Sequence, residues 1–175
     1  EDMLDVARLN TGRLPFTFEK VDLDSLLHTT VEEFAPFAEK VGTLIQLQSQ
    51  GSVIVQGDPH RLEQALGNLL SNAIKYGAGK PICVRLDKIA KQAQVTVSDS
   101  GIGIPREDQQ RIFECFERSV SVRHYGGLGV GLFIVREILE GHGGNVSVSS
   151  EPEHGASFTL HLPLEGADSA PALHS

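Results

Sequence analysis

The sequence predicts a two-layer α/β sandwich, with a mixed, mostly antiparallel sheet of about five strands carrying three helices on one face. Two observations support this fold class. Segments with a helical apolar period alternate with segments whose apolar residues recur at every second position, as in half-buried strands. The chain has 175 residues, 40% of them hydrophobic and 22% charged. A chain of this size and composition buries its core within one domain.

The first part of the chain is predicted to contain the end of a helix, three short strands and a complete helix. Residues 1–14 are typical of the last turns of a helix, which stops at Gly12 and Pro15. In the second helix, Pro36 is expected to interrupt or end the helical run. After the helix end, the predicted elements are a strand over 16–21, a helix over 23–40, and strands over 44–47 and 53–55.

The most informative segment is the helix predicted next. Asp58 is its expected N-cap, Pro59 its first residue, and Gly77 the residue that ends it. Its apolar stripe is spaced as in a helix that packs on a core. That stripe consists of Leu62, Leu66, Leu69, Leu70 and Ala73.

The opposite stripe of this helix carries Asn68, Asn72 and Lys75, spaced four and three residues apart. Asparagine is a weak helix former because its amide competes for backbone hydrogen bonds, so it is an unusual filler for a solvated face. Amide oxygens suit a hard cation, and an ammonium group suits an anion. The stripe therefore indicates a polar binding site, with an ordinary solvent-facing surface as the alternative.

The second half of the chain is predicted to contain four further strands and one helix. The apolar alternation marks strands at 82–86, 95–97, 146–148 and 158–162, and a helix at 129–141. Residues 100–128 form a long connecting stretch. Residues 164–175 are rich in Ala, Ser, Gly and Pro and are expected to be a disordered tail or linker.

An acidic residue and two glycines follow the strand that ends near residue 98. Asp99 stands directly before Ser100-Gly101-Ile102-Gly103-Ile104. A carboxylate at a strand end, beside glycines that let the backbone come close, suits a planar group that carries an amine donor. An Asx turn that merely closes the strand is the alternative.

A second glycine cluster opens the helix at 129–141. In Gly126-Gly127-Leu128-Gly129-Val130-Gly131-Leu132, bare backbone N–H groups at a helix start favour phosphate binding. The spacing matches neither the dinucleotide fingerprint nor a Walker loop. Between the two clusters lie about twenty residues, longer than ordinary loops. Arg118 and Arg123 in that stretch are either solvated charges or part of a lid over a polyphosphate.

Charge and composition exclude several classes of function. The net charge of −8 argues against sequence-independent nucleic-acid binding, which needs a basic surface. No apolar run reaches 18 residues and no signal peptide is present, so we expect no direct membrane contact. The two cysteines, Cys83 and Cys115, indicate no disulfide framework, and a cytoplasmic setting is expected. The seven histidines are expected to be ordinary surface or loop residues.

Taken in order, these segments resemble the catalytic, ATP-binding domain of bacterial sensor histidine kinases, a member of the Bergerat-fold group of ATPases and kinases. The asparagine helix resembles the N box of that family, and Asp99-Ser100-Gly101-Ile102-Gly103 its G1 box. Phe113-Glu114-Cys115-Phe116-Glu117-Arg118 is similar to the F box, and residues 127–132 to the G2 box. The resemblance covers residues 15–163 as the ATP-binding domain and makes residues 1–14 the end of a dimerisation helix.

The resemblance implies roles toward the phosphates. Asn72 is the implied ligand of a Mg²⁺ ion that bridges the phosphates of ATP, with Asn68 beside it. Lys75 and Arg118 are implied to neutralise the charge of the phosphates. Four boxes in the right order make the match specific, although Leu128 stands where the family often has Thr or Ser.

The resemblance also implies the contacts of the adenine. Tyr76 packs on the ring, and Asp99 accepts a hydrogen bond from its exocyclic amine. Further nucleotide contacts are implied at Gly101, Gly103, Ile104, Gly127, Leu128, Gly129, Val130, Gly131 and Leu132.

The implied activity is transfer of the γ-phosphate of MgATP to a histidine on a dimerisation domain of the same protein, with a response regulator downstream. None of the histidines of this chain stands in the family's acceptor pattern. One alternative is a Bergerat-type ATPase, as in gyrase, mismatch-repair or heat-shock proteins, which carries a glutamate where this chain has Asn68. Related serine kinases generally carry a carboxylate there too. The other alternative is a degenerate nucleotide-binding interaction module, which Leu128 favours.

Overall fold

The computed structural model of the chain describes residues 2–12, 14–77, 79–114 and 130–164. These residues form four α-helices, two short 3-10 helices (Arg106–Asp108 and Arg111–Phe113) and seven strands. The helices are α1 (Asp2–Thr11), α2 (Leu23–Lys40), α3 (Pro59–Tyr76) and α4 (Gly131–Gly141). The strands are β1 (Glu19–Asp22), β2 (Ile45–Gln48), β3 (Ile54–Gly57), β4 (Ile82–Ile89), β5 (Gln92–Ser98), β6 (Asn145–Ser150) and β7 (Ala156–Pro163).

Five of the strands form one mixed sheet in the order β2-β4-β5-β7-β6. Strands β2 and β4 are parallel, and the other three pairings are antiparallel. Strands β1 and β3 pair with each other in a separate antiparallel ribbon, in which Val21 lies opposite Val55. The predicted two-layer α/β fold, with its mostly antiparallel sheet of five strands, is confirmed.

The core lies between one face of the sheet and the helices, with α3 in contact with both α2 and α4. On α3 the predicted apolar stripe is buried in full, and Leu70 has no exposed surface. In β4 and β5 alternate residues such as Val84 and Val97 point into this core, whereas Cys83, a free thiol, lies on the other side of the sheet. Burying each large aliphatic side chain stabilises the fold by about 1.5–3 kcal/mol, so the apolar stripe fixes how α3 sits on the sheet.

The ends of α3 are the ones that the sequence predicts. Asp58 is the N-cap, and its Oδ1 atom accepts the backbone N–H groups of His60 at 3.0 Å and Arg61 at 3.2 Å. Pro59 is the first helical residue and Gly77 the C-cap. The helix that carries the polar stripe therefore has a fixed start and a fixed end.

Several predicted boundaries differ from the structure: most strands are longer than the apolar alternation predicts, and β3 covers Ile54–Gly57 where residues 53–55 were predicted. Helix α2 runs through Pro36 to Lys40, because proline fits the helical φ angle and here stands on an exposed face, where the lost hydrogen bond is tolerated. Strand β1 begins at Glu19, not at residue 16. Helix α4 begins at Gly131, not at residue 129. The predicted tail falls almost wholly outside the described residues.

Among the helices in the described ranges, none combines the length and the hydropathy that a membrane span needs.

Candidate functional site

The polar stripe of α3 contacts the start of α4. The Nδ2 group of Asn68 donates a hydrogen bond to the backbone oxygen of Gly131 at 3.1 Å. One turn further along α3, Asn72 is half-buried, and Lys75 after it is exposed. The stripe therefore runs from a fixed contact with α4 toward solvent, and its amide and ammonium groups lie along one accessible face of the helix.

Asp99 follows the last residue of β5 and is held by backbone contacts. Its N–H donates to the Ala156 oxygen at 2.9 Å, and its Oδ1 atom accepts the Gly101 N–H at 2.9 Å. Burial raises the pKa of the Asp99 carboxyl, and the hydrogen bond from Gly101 opposes that rise. The Asx turn that was the alternative explanation for Asp99 is therefore present. It holds the carboxylate in a partly desolvated position.

The loop after Asp99 packs directly on the end of α3. A Cβ atom added to Gly101 would lie 1.8 Å from the Tyr76 oxygen and 2.7 Å from the Gly77 Cα. The N–H of Ile102 donates to the same Tyr76 oxygen at 3.3 Å. A Cβ atom on Gly77 would lie 3.5 Å from the Cβ of Asp99. The predicted adenine acceptor is therefore next to the C-terminal end of the asparagine helix.

The other side of this loop is held by residues that the sequence analysis missed. Ser150 Oγ accepts the Ile104 N–H at 2.8 Å and donates to the Gly155 oxygen at 2.7 Å. Gln109 Nε2 donates to the oxygens of Ile104, at 3.0 Å, and Ser150, at 2.8 Å. Gly103 has φ +70°, a left-handed conformation that favours glycine. A serine and a glutamine in polar segments give no sequence signal for this role.

The start of α4 brings the second glycine cluster to the same helix. Val130 is buried, and Gly131 and Leu132 are half-buried. A Cβ atom on Gly131 would lie 3.8 Å from the nearest atom of Asn68, which is ordinary van der Waals contact. Packing against the described residues therefore does not require glycine at this position.

Several predicted site residues lie outside the described residues. They are Arg118, Gly127, Leu128 and Gly129. Of the stretch that precedes them, Phe113 is described. Its ring is buried and meets the ring of Phe158 edge-on, with 6.0 Å between centroids. Phe113 thus attaches the start of this stretch to the body of the domain.

His142 lies in the turn after α4, as the sequence analysis allows, but it is not an ordinary exposed histidine. This side chain is buried, and its Nδ1 group bonds the Ile138 oxygen at 2.7 Å. Its Nε2 atom accepts the N–H of Asp58, the N-cap of α3, at 3.0 Å. Because Nε2 accepts, the ring is neutral, with its proton on Nδ1. His142 thus joins the end of α4 to the start of α3, which no local sequence pattern reveals.

Stability is expected to depend on pH through His142. Burial lowers the pKa of His142, while the hydrogen bond to Ile138 and the charge of Asp58 oppose that shift. The unfolded chain therefore binds a proton first as the pH falls through about 6.5, so the free energy of unfolding decreases below that pH until the folded-state pKa is reached.

Chemical denaturation of the chain between about pH 7.5 and about pH 5.5, one unit either side of an ordinary histidine pKa, measures this dependence. We expect the decrease to be smaller in His142→Gln. The exposed His154 of the β6–β7 turn provides the control, since His154→Gln is expected to retain the wild-type profile. An identical pH profile in wild type and His142→Gln would contradict the assignment.

A family model and the sequences of known proteins both relate this chain to histidine kinases. The family model of the "histidine kinase-, DNA gyrase B-, and HSP90-like ATPase" matches residues 57–166. The signal transduction histidine-protein kinase BarA of Escherichia coli is 36% identical over 174 residues, covering 94% of this chain and 19% of BarA. The sensor-like histidine kinase SenX3 of Mycobacterium tuberculosis is 34% identical, covering 93% of this chain and 40% of SenX3. The chain thus spans well under half the length of these relatives.

Two solved structures extend the likeness to the fold. The mycobacterial sensor histidine kinase MprB superimposes with a TM-score of 0.77 and 30% identity, covering 83% of this chain and 98% of that one. Full-length ShkA in complex with AMPPNP superimposes with a TM-score of 0.83 and 29% identity, covering 93% of this chain and 34% of ShkA.

Proposed function

Since this chain belongs to the family of histidine kinase-, DNA gyrase B-, and HSP90-like ATPases and is an ATP-binding catalytic domain of the sensor histidine kinase type, we propose that it presents the γ-phosphate of MgATP to a histidine on a separate dimerisation domain. The acceptor and its assisting base lie outside this chain. The contribution of this chain is to bind the nucleotide, orient the triphosphate and neutralise its charge, which are the main sources of catalysis in phosphoryl transfer.

One observation carries the proposal: two segments far apart in sequence meet α3, one at the face that carries Asn68 and the other at the C-terminal end of the helix. Gly131 contacts Asn68 near the middle of the helix, and the loop directly after Asp99 packs on the end of the helix at Tyr76 and Gly77. These two contact points are about 14 Å apart along the helix axis. A nucleotide lying along this face would have its base at the carboxylate and its phosphates at the glycine-rich start of α4, with Asn72 and Lys75 between the two ends.

The donor set fits Mg²⁺ held jointly by protein and phosphate. Among the described residues, no cluster of three or more His, Cys, Asp or Glu side chains could hold a metal ion alone. Mg²⁺ usually takes one or two protein oxygens and completes its shell with phosphate oxygens and water. The amide oxygens of Asn72 and Asn68 would hold the Mg²⁺ ion. The ion would supply neutralisation of phosphate charge.

The chemistry of Asn68 separates kinase from hydrolase. An ATPase of this family type needs a carboxylate to take a proton from the attacking water. Asn68 is an amide and cannot accept that proton, and its Nδ2 group is bonded to the Gly131 oxygen. We infer that the site holds ATP without activating water, which favours transfer to another group. A response regulator is the proposed next recipient of the phosphate, and no nucleic acid takes part.

Phosphotransfer from γ-labelled ATP tests this function directly. With a histidine-bearing dimerisation domain supplied by the full-length protein, we expect label in a form that is stable to alkali and labile to acid. The chain alone should retain no label. Asn72→Ala should reduce the rate on the order of 100-fold, the scale of losing an oriented group in a charged site, whereas Asn145→Ala, at an exposed position on β6, should not. Stable labelling of the isolated chain, or rapid release of inorganic phosphate by it, would overturn the proposal.

A further inference from the structure

The structure contains a buried ion pair that joins the first helix to the helix of the candidate site. Asp5 of α1 has no exposed surface, and Arg61, in the first turn of α3, is 4% exposed. The Arg61 Nη1 group donates to Asp5 Oδ2 at 2.9 Å. The two residues are 56 positions apart in sequence. This pair is a tertiary contact that only the folded chain creates.

The polar groups around the ion pair form hydrogen bonds with both of its members. Gln64 Nε2 donates to Asp5 Oδ2 at 2.7 Å, and Arg61 Nη1 also donates to Gln64 Oε1 at 2.8 Å. Arg61 Nε donates to the Pro15 oxygen at 3.4 Å, and Arg8 Nη1 to Asp5 Oδ1 at 3.2 Å. A buried charge that is bonded on several sides holds its partners in one geometry. Desolvation of Asp5 opposes its ionisation, but the bonds from Gln64 and Arg61 prevail and lower the pKa of Asp5.

Apolar contacts support the same placement. Val6 of α1 and Leu14 in the segment after it are buried in the core cluster of the domain, and Leu9 packs against that cluster. By contrast, Leu4 is largely exposed on the other side of α1. An ion pair in such a position is weak evidence for stability, because an apolar pair of the same size often stabilises as well. Its distinctive effect is to fix the register and direction of α1 on α3.

The ion pair lies on the same helix as the candidate site, so the placement of α1 is linked to the placement of that site. Arg61 lies about two turns before Asn68 on the same helix, and Asn68 contacts α4. We propose that Asp5 and Arg61 are positioning residues for phosphotransfer, whose ion pair fixes α1 on α3 and thereby sets the position of the bound triphosphate relative to the acceptor histidine. The proposal rests on the proposed function, with residues 1–14 as the end of the dimerisation helix.

The test uses the full-length protein and four variants: Asp5→Asn, Arg61→Met, the double variant that carries both changes, and Arg8→Ala. Each single variant is expected to reduce kcat for histidine phosphorylation on the order of 100-fold, because an error of about 1 Å in placement has that scale of effect. The KM for MgATP is expected to remain unchanged. Arg8→Ala is the matched control, since Arg8 reaches the same carboxylate from an exposed position and the pair survives its loss.

The double variant separates positioning from stability. It leaves no unpaired buried charge, so its melting temperature is expected to recover relative to the single variants. Its kcat is expected to stay low because the apolar contacts that remain do not fix the direction of α1 as the bonded pair does. Recovery of kcat together with stability would assign the pair a merely structural role and overturn the proposal. Equal kcat in wild type and single variants would overturn it as well.

Hydrogen exchange on the 175-residue chain gives a readout that does not depend on activity. In Asp5→Asn and in the double variant, the amides of α1 are expected to exchange faster while those of α3 stay protected. Unchanged exchange in α1 would contradict the proposal. A wild-type protein that fails to bind MgATP would contradict the proposed function, and this inference with it, so the two failures are told apart by the wild-type binding measurement.

Discussion

Replacing Gly101 with alanine is expected to destabilise the chain and to abolish nucleotide binding. The added Cβ atom would lie 1.8 Å from the Tyr76 oxygen, a backbone atom in the last turn of α3, and 2.7 Å from the Gly77 Cα. Neither atom belongs to a flexible side chain, so the loop must move away from the helix. We expect a loss of about 3 kcal/mol in the free energy of unfolding, at the upper end of overpacking effects. Urea denaturation measures it.

Gly131→Ala is the matched control for stability. There the new Cβ would make only ordinary contact with Asn68, at 3.8 Å, and alanine is a better helix former than glycine. The free energy of unfolding should stay level or rise slightly. The contrast between the two variants separates a glycine that protein packing requires from one that a ligand requires. Equal stability of Gly101→Ala and wild type would show that the loop and helix are not in contact.

Asp99→Asn is expected to weaken ATP binding by about 2 kcal/mol, on the order of 30-fold in Kd, the usual effect of losing a hydrogen bond to a charged group. Asparagine can still accept the Gly101 N–H through its oxygen, so the loop keeps its main internal bond. The variant should also lose part of its preference for ATP over GTP, because a carboxylate accepts from the adenine amine whereas an amide does so less well. Isothermal titration calorimetry with both nucleotides measures these effects.

The stability of this variant serves as its internal control. Burial raises the pKa of Asp99, so its ionised form is disfavoured in the folded chain relative to the unfolded one. Removing the charge should leave the free energy of unfolding at pH 7 unchanged or increased. Asp87→Asn, which removes a half-buried carboxylate paired with Arg85 on β4, should not alter nucleotide affinity. Unaltered ATP affinity in Asp99→Asn would contradict the role given to Asp99.

Features that depend on neighbours in sequence were predictable. Helix α3 has its cap, proline start, apolar stripe and glycine end within about twenty residues, and all four signals agree. The position of Asp99 at the end of β5 follows from the alternation of the strand before it. The family resemblance then implied which of these local features share one site, and the contacts at Asn68 and Gly77 agree with that arrangement.

Features that depend on distant contacts were not predictable. The parallel pairing of β2 with β4 and the separate β1–β3 ribbon are non-local choices that apolar alternation does not encode. In the sequence, Asp5 looks like any other acidic residue on a helix. It is buried because the fold places Arg61 next to it. His142 is likewise buried because Asp58 and Ile138 supply partners for both ring nitrogens. A polar residue in a core is identifiable only once its partners are known.

The central claim is that one face of α3, the loop after β5 and the start of α4 form a single nucleotide site. Backbone amide NMR of the 18.9 kDa chain during titration with MgATP tests it most directly. The amides of Asn72, Gly101 and Gly131 are expected to shift along saturation curves with one common Kd, with little change along β6. Absence of shifts, or shifts with unrelated midpoints in these three segments, would contradict the claim that they bind one ligand together.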